Sequence, residues 1–271
     1  MLAIHNAVVN HVKIESAEIK GQVDIFGRET NLVILSNSIF HNGVRIKITQ
    51  PESSNGVSII SERAKFLEFA DFSGNNLKAL TDFSYSYFHK APLFYECKFH
   101  QDTSFKGASF NEFSSAAARA YRTLKLVMEE MRNRNDEALF YSLEQRSLRY
   151  EPDIGKAIKI TSWLYEKSSD YGSSFVLPVV HLLWVTAFFH VGYSVCSIDY
   201  LAFGSGALAE KIFSSDNVIF TITQVVSPFS MRDSLAGANT IVELFAIIQS
   251  IVSLSLVALF LLALRWQFKR E

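Results

Sequence analysis

The stretch AKFLEFADFSGNNLKALTDFSYSYFHKAPLFYECKF, residues 64–99, places a large apolar side chain at about every fifth position. With occasional six-residue steps, the series consists of Phe66, Phe72, Leu77, Phe83, Phe88, Leu93, Phe99, Phe105 and Phe110. An amphipathic helix repeats about every 3.6 residues and a strand about every 2, so neither produces this spacing. A fixed longer period is typical of a solenoid, in which each short unit stacks on its neighbours.

The same spacing occurs closer to the N-terminus, where β-branched residues occupy the bulky positions. These positions are Ile4, Val9, Ile14 and Ile19, and the positions two residues before them are Leu2, Ala7, Val12 and Ala17. Ile34, Ile39 and Val44 continue the series. Gln50 to Gly56, QPESSNG, then forms a polar insertion with turn-forming residues. The sequence therefore predicts one solenoid over residues 1–113.

This pattern resembles the pentapeptide-repeat proteins, whose unit is a small residue, a variable residue, Leu or Phe, and two polar or small residues. The units AKFLE, ADFSG, TDFSY and TSFKG carry the resemblance. It implies a right-handed quadrilateral β-helix with four units per coil. Residues 1–113 hold 11 Lys/Arg and 12 Asp/Glu, a balance that argues against a DNA-mimicking surface and against a basic stripe for nucleic acid.

Residues 114–148 change to a helical pattern. Ser114 or Ser115 can cap a helix that runs to about Met131, and a second helix is predicted from Asp136 to about Leu148. One stripe of the first helix carries Ala118, Tyr121, Leu124 and Met128, and the second helix carries Leu139, Phe140, Leu143 and Leu148. Their charged residues, Glu129, Glu130, Glu137, Glu144 and Arg146, are interpreted as the solvated face of a helical hairpin that covers the last coil.

Two later segments are long and apolar enough to span a bilayer. FVLPVVHLLWVTAFFHVGYSVC, residues 175–196, and IVELFAIIQSIVSLSLVALFLLAL, residues 241–264, each exceed the roughly 20 residues that a spanning helix needs. The alternative, a buried hairpin in a soluble protein, requires a large apolar partner surface that the chain does not supply. The sequence therefore favours a two-helix transmembrane module over residues 175–271, joined to the solenoid by a helical cap and juxtamembrane linker over residues 114–174.

Basic residues flank the two segments on the same side of the membrane. They are Lys156, Lys159, Lys167, Arg265, Lys269 and Arg270. The 44 residues between the segments hold only two basic residues, Lys211 and Arg232. The positive-inside rule therefore places both termini in the cytoplasm, and the expected location is the inner membrane of a bacterial cell.

Polar residues inside a bilayer are costly and mark candidate functional positions. In the second segment Glu243, Gln249, Ser250 and Ser253 fall within one arc of the helix, opposite an apolar face. In the first segment His190 lies at about the depth of Gln249. A hydrogen bond from His190 to Gln249 or Glu243 is the simplest way to satisfy these groups. These five residues are the candidate pore or intramembrane polar positions.

The connection between the two segments contains VIFTITQVVSPFSMRD, residues 218–233. Residues 214–216 can cap a short helix over residues 217–226, which predicts a re-entrant or interfacial element. Its candidate residues are Thr221, Thr223, Gln224, Ser227, Pro228 and Phe229. This arrangement of a helix, a short re-entrant segment and a second helix is similar to the two-helix pore module of potassium channels. The Thr-Val-Gly-Tyr-Gly filter of those channels is missing from this sequence. A potassium-selective filter is therefore not expected.

Two functional hypotheses remain open. One is an oligomeric, channel-like pore or membrane-perturbing effector, with a role in toxicity or phage defence, controlled by a cytoplasmic solenoid that binds a protein partner. The other is a membrane-anchored interaction scaffold that does not conduct. The expected surroundings are the lipid bilayer and further copies of the chain, without nucleic acid. The sequence shows no phosphate loop, nucleophile motif or metal-spaced cluster, so we expect no enzyme activity, cofactor or metal.

Overall fold

A computed structural model of the chain describes residues 2–8, 10–50, 55–196, 214–226 and 240–268. The chain divides into two compact units, Met1–Ser162 and Trp163–Glu271. The first unit is a parallel β-solenoid followed by helices, and the second is helical. The division falls inside one helix, and each unit is described by itself.

The β-solenoid is built from short strands in four parallel sheets. The first sheet pairs β1 (Leu2–Val8), β4 (Val23–Arg28), β7 (Val44–Thr49) and β10 (Ala70–Asp71). The second pairs β2 (His11–Lys13), β5 (Leu32–Ile34) and β8 (Ser58–Ile60). The third pairs β3 (Glu18–Ile19), β6 (Ile39–Phe40), β9 (Lys65–Phe66), β12 (Tyr87–Phe88) and β14 (Ser109–Phe110), and the fourth pairs β11 (Asn76–Leu77) with β13 (Lys98–Phe99). The longest sheet has five strands, so the solenoid makes about five turns.

The strand register gives the length of each turn. Ile19 pairs with Phe40, 21 residues later, and Phe40 pairs with Phe66, 26 residues later. Phe66 pairs with Phe88, and Phe88 with Phe110, both at 22 residues. The longest turn contains the polar insertion at residues 50–56, of which residues 51–54 lie outside the described part of the chain. The predicted solenoid is confirmed, whereas its right-handed quadrilateral form stays a prediction.

Side chains from successive turns form columns in the interior. The rings of Phe40 and Phe66, Phe66 and Phe88, and Phe88 and Phe110 are stacked, with centroids 5.3, 5.0 and 5.3 Å apart. Two further stacked pairs, Phe72 with Phe94 and Phe83 with Phe105, have centroids 4.9 and 5.1 Å apart. Each ring therefore depends on the turns above and below it for its burial.

At three positions the predicted inward residue is wrong by one. Phe94, rather than Leu93, is fully buried, and Leu35 and Phe40 are buried where Ile34 and Ile39 were expected. In each case two large apolar residues are adjacent. The pairing with the neighbouring turn decides between them, since Leu93 pairs with the outward-facing position of Asp71 and this leaves Phe94 to stack on Phe72.

Two helices cover the last turn, α1 (Ser115–Glu130) and α2 (Arg134–Leu148). Ser114 caps α1 by accepting a hydrogen bond from the Ala117 amide. The ring of Phe140 lies 5.1 Å from that of Phe105 and 5.5 Å from that of Phe110, so α2 packs directly on the ends of two columns. The helical hairpin predicted from the sequence is therefore present, with α2 beginning two residues before Asp136.

The prediction that the hairpin charges are solvated is wrong for two of them. Glu137 and Glu144 are buried. Glu144 accepts hydrogen bonds from Arg122 Nε at 2.6 Å and from Lys125 Nζ at 2.8 Å, both donated by α1. Paired cations allow a carboxylate to be buried between two helices, and the alternation of charges in the sequence did not reveal this pairing.

The remaining helices are α3 (Lys156–Ser169), α4 (Val176–Cys196), α5 (Ser215–Val226) and α6 (Thr240–Phe268). Residues Val176–Val195 and Val242–Arg265 are long and apolar enough to cross a membrane. Only 17% and 28% of these two windows are buried. A core helix of a soluble protein would be mostly buried, so this exposure favours a lipid surrounding for α4 and α6. We call α4, α5 and α6 the helical module.

Candidate functional site

The interior of the helical module is polar. On α6, Gln249, Ser250 and Ser253 are buried together with Ala246. On α4, Tyr193 and Ser194 are buried, and they lie three and four residues after His190 on the same helical face. Both faces point towards the short helix α5, which packs on α4 and α6.

Helix α5 supplies the third side of this interior. Thr221 and Gln224, spaced three residues apart, are buried, whereas Ile219 and Ile222 are 57% and 52% exposed. The helix therefore turns Thr221 and Gln224 inward and Ile219 and Ile222 outward. A soluble amphipathic helix has the opposite arrangement.

Side-chain hydrogen bonds join the three helices. Tyr193 Oη donates to Gln249 Oε1 at 2.7 Å, and Gln249 Nε2 donates to the Thr221 carbonyl at 3.2 Å. His190 Nδ1 lies 3.0 Å from Thr221 Oγ1. Ser250 Oγ is 3.3 Å from Gln224 Oε1, to which it donates. We call His190, Tyr193, Thr221, Gln224, Gln249 and Ser250 the polar cluster.

Aromatic packing surrounds the polar cluster. The ring of Tyr193 meets that of Phe220 edge-on at 5.0 Å, and Phe189 meets Phe245 at 5.6 Å. Gly192 lets α4 and α6 approach closely, because a Cβ at this position would lie 2.9 Å from the ring of Phe245. Small residues at helix contacts are typical of helices that pack inside a bilayer.

The structure places the sequence-predicted residues in different surroundings. Gln249 and Ser250 join the polar cluster, and Ser253 is buried with no hydrogen-bond partner for its hydroxyl among the described residues. Glu243 is half-buried in the first turn of α6. Thr223 hydrogen-bonds the carbonyls of its own helix at Ile219 and Phe220. Ser227, Pro228 and Phe229 lie outside the described residues.

The predicted hydrogen bond from His190 to Gln249 or Glu243 is wrong. Gln249 instead bonds Tyr193 and the Thr221 carbonyl, and Thr221 connects Gln249 to His190. Tyr193 was not among the predicted residues, although its spacing from His190 places both on one face of α4. The position of α5, which supplies the bridging residue, could not be derived from the sequence.

A concave surface lies elsewhere on the protein, between the solenoid and α1. It has a volume of about 250 Å³, and its lining includes Leu93, Tyr95, Glu112 and Arg119. The Glu112 carboxylate already accepts hydrogen bonds from the Ala91 amide at 2.8 Å and the Ser114 hydroxyl at 2.9 Å. Glu112 therefore stabilises the junction of solenoid and cap. Its carboxylate is less available to bind a ligand in the groove than the lining residues alone suggest.

Among the described residues, no group of three or more His, Cys, Asp or Glu side chains is arranged to hold a metal ion. In comparisons with known proteins, no family model, no curated protein and no solved structure matches the chain. The polar cluster is therefore the candidate functional site on the strength of its own geometry.

Proposed function

We propose that the chain is an oligomeric protein of the inner membrane, in which a cytoplasmic β-solenoid controls a channel-like or membrane-perturbing helical module. Helices α4 and α6 cross the bilayer, and α5 re-enters it from the outer side. In this proposal the protein acts as an effector that changes the permeability of a bacterial membrane, and the solenoid carries the surface for a protein partner.

The depth at which α5 contacts the other helices carries the proposal. His190 lies six residues before the end of α4, and Gln249 nine residues after the start of α6. At 1.5 Å per residue these positions are about 9 and 14 Å inside the helix ends. The hydrogen bonds of Thr221 therefore support a position for α5 within the membrane rather than above it.

The side of the membrane follows from charge. Lys156, Lys159 and Lys167 precede α4, and Arg265 lies at the end of α6. Because basic residues are retained on the cytoplasmic side, the solenoid is on that side and α5 enters from the other.

The number of helices supports an oligomer for a conducting function. Two spanning helices and one short helix cannot enclose an aqueous path, and the polar cluster of one copy is turned inward and bonded to itself. A conducting path therefore has to form between copies of the chain. Glu243, which is half-buried, is the candidate residue for the wall of that path.

The hydrogen bonds within the polar cluster of one copy also favour a second candidate function. Interhelical hydrogen bonds also act as packing contacts in membrane proteins that conduct nothing. A scaffold that anchors the solenoid to the membrane needs only this packing, and it requires no assembly around an axis.

Ion flux from liposomes that contain the purified full chain separates the two functions. The channel-like function predicts flux, a clear reduction by Glu243→Ala, and a reduction by Gln249→Leu because α5 loses its support. Ile248→Leu, which changes an exposed apolar side chain next to Gln249, serves as the control and should leave flux unchanged. Absence of flux from a chain that is monomeric in detergent would leave the scaffold. Strong potassium selectivity would contradict the conclusion drawn from the missing filter sequence.

A further inference from the structure

Helix α3 exposes an apolar stripe bordered by lysines. Ile160, Trp163 and Leu164 follow the spacing i, i+3, i+4 and are 58%, 50% and 52% exposed. Lys156 and Lys167, at i−4 and i+7, extend the same face at its two ends and are also exposed. A helix with apolar side chains between cationic ends has the composition of a helix that lies in a membrane interface.

A short and well-defined corner joins α3 to α4. Asp170, Tyr171 and Gly172 have φ values of 47°, 55° and 83°, and the buried Ser169 hydroxyl accepts a hydrogen bond from the Gly172 amide at 3.1 Å. The rings of Tyr165 and Tyr171 meet edge-on at 5.5 Å across this corner. Contacts within the corner therefore hold the direction of the chain where α3 ends and α4 begins.

The corner also limits how far α3 lies from the bilayer. Six residues separate Ser169 from Val176, the first residue of α4. Even fully extended, the seven steps from Ser169 to Val176 span only about 25 Å. If α4 crosses the membrane, the C-terminal end of α3 lies within that distance of the membrane surface.

The charges of α3 favour one kind of membrane surface. The helix holds Lys156, Lys159 and Lys167 against a single acid, Glu166. Anionic lipids of the cytoplasmic leaflet attract lysines held next to a spanning helix, and long lysine side chains reach headgroup phosphates while their stems cover apolar surface.

We propose that α3 lies along the inner surface of the bilayer and binds anionic phospholipid. Ile160, Trp163 and Leu164 enter the boundary between headgroups and acyl chains, while Lys156 and Lys167 contact lipid phosphates. Ile158, on the opposite face and 61% exposed, remains in water. This inference rests on the membrane insertion of the proposed function, and α3 then provides a second attachment that depends on lipid composition.

The fluorescence of single tryptophans tests the inference in the full chain. The chain has three tryptophans, so Trp184→Phe with Trp266→Phe leaves Trp163 as the only reporter. In vesicles of brominated phosphatidylcholine mixed with brominated phosphatidylglycerol, the emission of Trp163 should be quenched. The quenching should weaken in brominated phosphatidylcholine alone, because the attraction of the lysines is lost.

A second reporter separates this inference from the proposed function. Trp163→Phe with Trp266→Phe leaves Trp184 of α4, which is 73% exposed and should be quenched by lipid of either composition. Quenching of Trp184 without quenching of Trp163 would overturn the interfacial position of α3 alone. Absence of quenching at both positions would overturn the membrane insertion and the inference together.

Charge removal distinguishes lipid from a protein that covers the same face. In the Trp163 background, Lys156→Gln with Lys167→Gln should lower the ratio of inserted to water-exposed α3 about thirtyfold, since each lysine near an anionic surface contributes about fivefold. Lys106→Gln, an exposed lysine of the solenoid, is the matched control and should change nothing. Quenching of Trp163 that depends on neither the lysines nor phosphatidylglycerol would contradict the binding of anionic phospholipid, and absence of Trp163 quenching in both lipids would mean that protein or water covers the stripe.

Discussion

Both regions bury polar side chains, but the β-solenoid has a continuous apolar interior of stacked rings and aliphatic side chains, whereas the helical module buries Gln249, Ser253 and Thr221 where its helices meet. The outer surfaces differ in the same way, because Trp184 and Phe188 of α4 are among the most exposed apolar side chains of the chain. In water, the burial of apolar surface stabilises a fold. In lipid this driving force is absent between helices, so hydrogen bonds and close packing hold the helices together. The exposed apolar side chains of α4 and α6 are therefore the part of this difference that a lipid surrounding accounts for.

The regions also differ in how contacts are distributed. In the solenoid each ring repeats the contact of the ring one turn away, so the loss of one ring affects its neighbours in both directions. In the helical module, the single side chain of Gln249 hydrogen-bonds residues of both α4 and α5. The solenoid should thus be the more stable region and should lose more stability from one substitution.

The largest effect is expected for Phe66→Ala in the solenoid. Phe66 is fully buried and contacts Phe40, Phe72 and Phe88 through its ring. Its removal should lower the free energy of unfolding of the solenoid by about 3–5 kcal/mol, the range for a buried aromatic side chain. Urea unfolding of the full chain in detergent, followed by circular dichroism, measures the change.

The matched control is Leu80→Ala, which shortens a side chain of the same solenoid that is 56% exposed. It should change the free energy of unfolding by no more than about 0.5 kcal/mol. Equal effects of Phe66→Ala and Leu80→Ala would contradict the stacked interior.

A smaller effect is expected for Gln249→Leu in the helical module. This change removes hydrogen bonds to Tyr193 and Thr221, and interhelical bonds in membranes contribute about 0.6 kcal/mol on average and at most about 1.7. The loss should therefore be about 1–2 kcal/mol, measured by unfolding of the helices in mixed detergent micelles. Ile248→Leu is the control, and unchanged stability for both variants would show that the polar cluster does not hold the module together.

The smallest effect is a dependence on pH in the cap of the solenoid. Burial raises the pKa of Asp136 above its ordinary value of 3.8, although hydrogen bonds from the Phe105 amide and Asn133 act in the opposite direction. As pH rises from 3.8 towards the raised pKa, the unfolded chain loses its proton first. The contribution of Asp136 to stability is therefore greatest below 3.8 and falls across that window.

Asp136→Asn keeps an oxygen for the Phe105 amide and removes the titration. Its free energy of unfolding should lack this part of the decrease with pH, so the difference between variant and natural chain should shift in favour of the variant as pH rises above 3.8. Parallel pH profiles for the two proteins would show that Asp136 makes no such contribution.

The solenoid could be predicted from sequence because its period is unlike that of any helix or strand. The spacing of Phe66, Phe72 and Leu77 is enough to indicate stacking units. The exact inward residue could not be predicted where two apolar residues are adjacent, as at Leu93 and Phe94, since the choice depends on pairing with another turn. The spacing in the sequence therefore indicates the repeating unit, whereas contacts between turns determine which residue of the unit faces inward.

The polar cluster could be predicted only in part. Helical geometry places Gln249, Ser250 and Ser253 on one face of α6, and these residues are buried there. The partners of Gln249 could not be derived, because they depend on how α5 packs on two helices that are distant in sequence. For the same reason, the pairing of the buried Glu144 with the more exposed Arg122 could not be told apart from an ordinary pattern of surface charge.

The position of α5 within the membrane is the claim that separates a channel-like module from a plain helical hairpin. Ile222 tests it directly, because it is 52% exposed on the protein and should face lipid or a neighbouring copy if α5 re-enters the bilayer. The measurement is the labelling of Ile222→Cys by a membrane-impermeant maleimide, in a Cys97→Ser, Cys196→Ser background, in vesicles open to reagent on both sides. We predict that Ile222→Cys stays unlabelled in the vesicles and reacts after unfolding in detergent, while Lys106→Cys on the solenoid reacts at once. Labelling of Ile222→Cys in these open vesicles at the rate of Lys106→Cys would place α5 in water and contradict the account.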